Sequence, residues 1–416
     1  MPRLHSASTH SSDNARMKQT STSIPACPII TGALTTRLAD FWLLGGASIL
    51  VWVCMMLGQH FRTKSWVIDH QFQNLAGLFA ALSLFVNYPH FMISYKFAYN
   101  RGPGFIVKHW FCLLAVPIFL IAVYTFGYFE FEKIFDETQT VTALNAFFNT
   151  AGLGIHIGAP NVGVAVQGFA IWLMFLTVGW HYAKQVFGCM LVYARYDRYP
   201  VSRFQKTLLK VNLLGLAWLN YFFNTLTVNG YLKTFSKYIS SPQFLAFDIS
   251  HVFVSSLEWV CYGLTLATCY FVFFRNYKTH RRLPSANMSV AWLAYLVWSL
   301  PILRQEEFFL MVIPFFHSLQ YLPFAYKLES AAMNRSGDKS SWRISAAILG
   351  WIIVGFLAFE LIPNTLDNIL KPDGGYRQSW YFFTCALTFI NIHHFFMDSV
   401  TWRFKSPEVQ QNLLGV

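Results

Sequence analysis

Ten long apolar stretches constrain this chain more than any other feature of its sequence. A bilayer core roughly 30 Å thick is crossed by about 20 helical residues, and each stretch is close to that length. Helices satisfy their own backbone hydrogen bonds, so they can cross hydrocarbon where irregular chain cannot. The pattern predicts an all-α, polytopic helical bundle embedded in a membrane. The predicted spans are residues 40–58, 74–96, 106–128, 163–190, 205–228, 250–274, 286–303, 307–326, 343–362 and 380–402.

The charge content supports this prediction. Only 12% of the residues are charged and 55% are hydrophobic, whereas soluble domains are usually about 25% charged. A formal charge of +12 would suggest a nucleic-acid partner in a soluble chain. Here the basic residues are explained by membrane orientation, so we expect no nucleic-acid partner. The seven cysteines form no CxxC pair, and we predict no disulfide framework and no thiolate metal site.

Lysine and arginine set the predicted orientation, because short cytoplasmic loops are enriched in both. With both termini in the cytoplasm, 22 of the 31 basic residues lie on the cytoplasmic side, eight lie outside, and Lys184 lies within a span. Residues 138–160 are moderately apolar, but a crossing there would turn the basic loop 195–210 outward. We therefore predict an interfacial or re-entrant helix near 138–160, and a protein with N-in and C-in topology.

The remaining segments complete the predicted organisation. Residues 1–39 are rich in Ser and Thr and predict a disordered cytoplasmic tail, within which Met17 is an alternative start. Residues 40–402 form one transmembrane domain, and residues 403–416 form a cytoplasmic tail. No internal repeat is evident. We expect the protein in a cell membrane of the bacterial inner-membrane type.

Several histidines fall inside the predicted spans, where ionisable groups are costly and mark functional sites. His90 lies six residues before Lys96, His317 ten before Lys327, and His394 nine before Arg403. His181 lies fourteen residues before Arg195. At 1.5 Å per residue these are depths of roughly 9–20 Å from the cytoplasmic boundary. Four separate helices therefore place a histidine in one layer, which indicates a shared site.

The neighbouring residues fit a metal-ligand shell. Asp398 follows His394 by four residues and shares its helix face. Asp398 and Tyr182, the residue after His181, are the candidate catalytic residues. Groups at i+3 and i+4 can hold the second nitrogen of a ligating imidazole. Gln320 and Tyr321 have this spacing from His317, and Lys184 and Gln185 have it from His181. The predicted metal ligands are His90, His181, His317, His393, His394 and Asp398. The predicted supporting residues are Asn391, Gln320, Gln185 and Lys184.

A metal layer inside a membrane suggests chemistry on a hydrophobic molecule. Imidazole with carboxylate suits iron, zinc, copper or manganese, and the leading hypothesis is iron, with room for two metal ions. The chain lacks the HxxxH and HxxHH boxes of membrane desaturases and the HExxH helix of zinc proteases. The hypothesis is a non-haem iron oxidoreductase of the oxygenase or desaturase type, acting on a lipid and served by a cytoplasmic electron donor. The alternatives are a b-type haem electron-transfer protein, or a proton-coupled transporter that uses Asp398 and Glu258.

Overall fold

The computed structural model describes most of the membrane domain. The described residues are 32–60, 66–133, 142–152, 155–157, 162–226, 245–247, 251–300, 309–335, 341–370, 380–403, 406 and 409–414. Most of the predicted tail 1–39, including Met17, lies outside these residues. Its last residues, from Arg37 onward, already belong to the first helix.

The described residues are helical except for turns and one pair of short strands. The α-helices are α1 Arg37–Phe41, α2 Ala47–His60, α3 Trp66–Tyr99, α4 Pro103–Lys108, α5 Val116–Phe129, α6 Thr142–Thr150, α7 Val162–Tyr196, α8 Arg203–Leu226, α9 His251–Thr268, α10 Arg275–His280, α11 Ala286–Trp298, α12 Phe309–Arg335, α13 Ser341–Phe356, α14 Ile362–Ile369 and α15 Tyr381–Thr401. Wider π-helical turns occupy Trp42–Gly46, Phe111–Ala115, Cys269–Phe274, Leu357–Leu361 and Gln410–Leu414. All but the last join two α-helical pieces or begin a helix.

Six helical stretches are long and apolar enough to cross a membrane, which supports a helical membrane bundle. They are Arg37–Leu57, Gly77–Tyr99, Phe111–Phe129, Val162–Tyr196, Val252–His280 and Trp342–Ile369. Each coincides with a predicted span. The other four predicted spans also form helices: α8, α12 and α15, and the shorter apolar α11.

Large apolar side chains remain uncovered on the outer faces of these helices. Ile118 on α5 is 64% exposed, and Trp259 and Leu266 on α9 are 74% and 71% exposed. Soluble proteins rarely leave contiguous apolar surface of this kind uncovered. Such faces suit contact with lipid hydrocarbon, where no charge is required.

The stretch 138–160, for which an interfacial or re-entrant helix is predicted, contains one short helix and one short strand among its described residues. Helix α6 has no buried residue, in keeping with the predicted peripheral helix. The strand β1, Ile155–Ile157, pairs antiparallel with β2, Leu245–Phe247, in the register Ile155 with Phe247. This pairing was not predicted from the sequence.

Helices α3, α7, α12 and α15 surround the centre of the bundle. Helix α7 packs against α8, α11 and α15, while α3 packs against α12, α13 and α15. The chain kinks at Gly45, where a Cβ atom would lie 2.6 Å from the carbonyl oxygen of Val290. The neighbouring carbonyl oxygen of Leu44 accepts a hydrogen bond from Gln320 Nε2 at 2.6 Å. The kink therefore lets the first span approach α11 closely, and the hydrogen bond from Gln320 attaches the same span to α12.

A buried carboxylate fixes the start of α15. Asp367, near the end of α14, accepts hydrogen bonds from the backbone N–H groups of Phe382 at 2.7 Å and Phe383 at 2.9 Å. These N–H groups lie in the first helical turn and have no partner within the helix. The contact sets the position of the helix that carries His394.

Candidate metal centre

Four histidines from four different helices meet in the interior of the bundle. They are His90 on α3, His181 on α7, His317 on α12 and His394 on α15, and one ring nitrogen from each lies within 4.8 Å of the others. Their exposed fractions are 0%, 7%, 9% and 2%. The four histidines that the sequence predicts at one depth therefore also lie next to one another.

The four rings face one another edge to face. The Nε2 atoms of His394 and His181 are 3.2 Å apart, and the ring centroids of His90 and His394 are 4.5 Å apart. Both nitrogens of His90, Nε2 of His317 and Nδ1 of His394 have no hydrogen-bonding partner. Buried polar atoms are nearly always partnered, so such a group calls for an explanation such as a bound ion.

Asp398 lies beside this group, one helical turn after His394. Its Oδ2 atom is 3.5 Å from His394 Nε2 and 3.7 Å from His181 Nε2. Its Oδ1 atom has no hydrogen-bonding partner. Asp398 as a whole residue is 7% exposed. Its carboxylate is positioned to act as a fifth ligand or as a proton acceptor.

His393, which was predicted as a ligand, lies outside the group of four histidines. Adjacent residues on a helix point about 100° apart, so His393 and His394 face different neighbours. His393 Nδ1 is 3.0 Å from the hydroxyl oxygen of Tyr95, and its ring packs beside Phe389. We therefore leave His393 out of the ligand set.

The candidate catalytic residue Tyr182 contacts the centre through His317. The two rings stack with centroids 3.9 Å apart and planes inclined by 25°. Its neighbour His181 points into the four-histidine group, while Tyr182 lines a cavity beside it. Tyr182 thus lies between the proposed metal and the space next to it.

Two of the predicted supporting residues contact the centre, but through atoms other than those predicted. Gln185 Nε2 donates to the backbone carbonyl of His317 at 2.8 Å and to Gln320 Oε1 at 3.1 Å. Together with the hydrogen bond from Gln320 to Leu44, these bonds link α7, α12 and the kink in the first span. The two glutamines fix the backbone around His317 instead of an imidazole nitrogen.

The other two predicted supporting residues do not contact the histidines. Lys184 is exposed and its ammonium lies 5.3 Å from the ring centre of Phe395. Asn391 donates to the carbonyl of Leu387 on its own helix at 2.8 Å. Lys184 nevertheless lines a cavity together with His181 and Asp398.

Tyr321 and its partners form a support that the sequence only partly indicated. The ring of Tyr321 packs edge-on against His90 with centroids 4.2 Å apart. Its hydroxyl lies 2.8 Å from Ser94 Oγ and accepts from Trp402 Nε1 at 3.1 Å. Ser94 and Trp402 each follow a site residue, His90 and Asp398, by four positions. That spacing was the available signal, although it does not by itself identify the hydroxyl that joins them.

Two separate cavities adjoin the centre. The larger, which we call the apolar cavity, contains about 1190 Å³ of space including its open side. It reaches His317 and Tyr182, and its lining has no Lys, Arg, Asp or Glu among the described residues. The smaller, which we call the polar cavity, contains about 800 Å³ and is lined by His181, Asp398 and Lys184. No residue lines both.

No family model, curated protein or solved structure matches the chain. The geometry of the site is therefore the basis for the function proposed below.

Proposed function

We propose that the protein is an integral membrane metalloenzyme whose metal ion is held by His90, His181, His317 and His394. The convergence of four buried imidazoles within 4.8 Å carries the proposal. Ligand nitrogens around one ion at about 2.1 Å lie no more than about 4.2 Å apart, so the four nitrogens nearly match such a shell. The form of imidazole that binds metal is the neutral one, which the burial of all four rings favours.

The ligand chemistry supports a transition metal of borderline softness. Imidazole suits iron, zinc, copper and nickel, and no thiolate joins the set. We propose iron, with Asp398 as a fifth ligand or as the residue that accepts a proton. One bound ion is enough for this group, because His393 is directed elsewhere. When bound, iron would supply the oxidation chemistry of an oxygenase or desaturase.

The apolar cavity supports a hydrophobic substrate. On α7 its lining runs from Phe175 to Val186, which is roughly 16 Å along the helix at 1.5 Å per residue. Aromatic and aliphatic side chains dominate the wall, as in sites for apolar ligands. We propose that a lipid or a similar elongated molecule lies there, with one part beside His317 and Tyr182.

The geometry favours this proposal over the two alternatives. A haem would need a flat slot between two axial histidines, but the rings of His90, His181 and His394 contact one another directly. A proton relay through Glu258 and Asp398 is less favoured, because Glu258 lines neither of the two cavities formed by the described residues and accepts a hydrogen bond from Tyr262 on its own helix at 2.5 Å.

Metal analysis of the purified protein tests the proposal. We expect close to one equivalent of transition metal in the wild type and at least tenfold less in His181→Ala and His394→Ala. His393→Ala is the matched control, because it removes the adjacent and equally buried imidazole and should leave the metal content unchanged. Full metal occupancy in His394→Ala, or a Soret band in the wild type, would contradict the proposed site.

We propose ten spans with both termini in the cytoplasm of a bacterial-type inner membrane. The six apolar helices support the membrane location, and the distribution of Lys and Arg supports the orientation. Single cysteines placed at Lys133 and at Arg281 should react with an impermeant thiol reagent from opposite sides of sealed vesicles. Reaction of both positions from one side would exclude this topology.

A further inference from the structure

The polar cavity differs from the apolar one in what it offers the metal centre. The polar cavity is lined by His181 and Asp398, whereas Tyr182 lines the apolar cavity. Among the described residues, Lys184 and Asp398 are the charged side chains that line either cavity, and both line the polar one. Asp398 Oδ1 has no hydrogen-bonding partner. Apolar side chains such as Phe324 and Phe395 also line this cavity. Water would be held at its charged end, because buried charged groups need polar neighbours.

Helix α7 separates the two spaces. Tyr182 and Val186 face the apolar cavity, while His181, Gln185 and Cys189 face the polar cavity. The metal ligands lie between these faces, so the centre can be approached from two directions. A hydrophobic molecule and a small polar species could therefore reach it without passing each other.

The C-terminal segment, residues 409–414, forms part of the wall of the polar cavity. Val409 and Leu413 line the cavity and are each 2% exposed. Leu413 is held by a hydrogen bond from the Tyr196 hydroxyl to its carbonyl oxygen at 2.7 Å. In the proposed topology this segment lies on the cytoplasmic side.

We propose that the polar cavity is a separate aqueous route by which water and protons reach the metal centre, and that residues 409–414 are its gate. The purpose of the route rests on the proposed metalloenzyme function, but its existence does not.

Cys189 provides a direct test, because it lines the polar cavity and is 1% exposed. We would treat the detergent-purified full-length protein with a small charged methanethiosulfonate reagent and follow each cysteine by peptide mass spectrometry. Deleting residues 409–416 should raise the labelling rate of Cys189 at least tenfold. Cys261, which is 0% exposed and lines neither cavity, should stay protected.

A milder variant covers the case in which the deletion disturbs folding. Tyr196→Phe removes one hydrogen bond from the gate, and we expect labelling of Cys189 to rise about two- to tenfold. In that background Gly188→Leu, which fills the polar cavity, should reverse the increase. Gly179→Leu is the matched control in the apolar cavity, and it should not reverse it.

The result is independent of the metal assignment. Unchanged labelling of Cys189 in both gate variants would overturn the aqueous route, even if the protein contains metal. Increased labelling of Cys189 in a protein that binds no metal would support the route and contradict the proposed enzyme.

Discussion

Two buried aspartates show how differently this protein treats a carboxylate in its interior. Asp40 is 0% exposed and accepts from Leu34 N at 2.8 Å and from the Thr35 hydroxyl at 2.6 Å, with a further bond from the Tyr193 hydroxyl. Asp398 is 7% exposed, and its Oδ1 atom has no partner. One carboxylate is surrounded by donors, and the other faces imidazoles and a cavity.

The difference teaches that burial alone does not identify a functional residue. A carboxylate whose oxygens are satisfied contributes to a unique and rigid fold. A carboxylate left partly unsatisfied costs stability, and proteins retain such groups mainly at functional sites. His393 and His90 differ in the same sense but by less: His393 has one ring nitrogen paired with Tyr95, whereas neither nitrogen of His90 has a partner.

The largest expected effect tests this contrast directly. Asp40→Ala leaves several buried donors without an acceptor, and we expect it to lower the free energy of unfolding by about 3 kcal/mol or more. Asp398→Ala in metal-free protein should lower the free energy of unfolding by less than Asp40→Ala does. Its carboxylate interacts with Ser94 and Trp402, but its Oδ1 atom has no hydrogen-bonding partner. Thermal unfolding in detergent measures both.

Asp40→Asn is the graded control, since it keeps one acceptor oxygen and should fall between the wild type and Asp40→Ala. Equal destabilisation by Asp40→Ala and Asp398→Ala would mean that Asp398 is structural, and the comparison would fail.

The next effect concerns the metal itself. A ligand that binds only the folded state at 100 times its Kd stabilises that state by about 2.7 kcal/mol. Treatment with a strong chelator should therefore lower the Tm of the wild type and of His393→Ala. The Tm of His394→Ala should not respond, because its site is already broken. A chelator response in His394→Ala equal to that of the wild type would show that the metal binds elsewhere.

The smallest effect distinguishes the apolar cavity from a packed core. A Cβ atom at Gly179 would meet nothing within 4 Å, so a larger side chain can enter the cavity without a clash. Gly179→Ala should stabilise the protein by about 0.8 kcal/mol through helix propensity. Gly179→Leu should add to this by covering apolar wall and should displace co-purified apolar molecules, with metal content unchanged. Unchanged lipid content, measured by native mass spectrometry, would argue against the cavity as a substrate site.

Much of the architecture could be predicted from the sequence, because a span needs only length and apolar content. The six most apolar stretches were all predicted. Helices α12 and α15 are less apolar because they carry the polar groups of the site, such as His317 and Asp398. Two of the four proposed ligands therefore lie on helices that fall outside the six apolar stretches.

The sequence predicted that four histidines share one depth, but it did not predict which side chains contact them. Depth and helical spacing place residues on a helix to within one turn and one face. They do not say which neighbouring helix supplies the partner. Gln185 was expected to support His181, yet it bonds the carbonyl of His317. The partner depends on how α7 and α12 approach each other, which only the folded chain defines.

The bond from Asp367 to the first turn of α15 has a consequence for the angular phase of that helix. Because Asp367 binds the N–H groups of Phe382 and Phe383, it fixes how α15 is rotated about its own axis relative to α14. A residue inserted between Ile369 and Trp380 would leave the phase from Phe383 to His394 intact. One inserted between Phe383 and His394 would rotate the downstream residues by about 100° and bring His393 round to the place of His394, with Asp398 carried out of register.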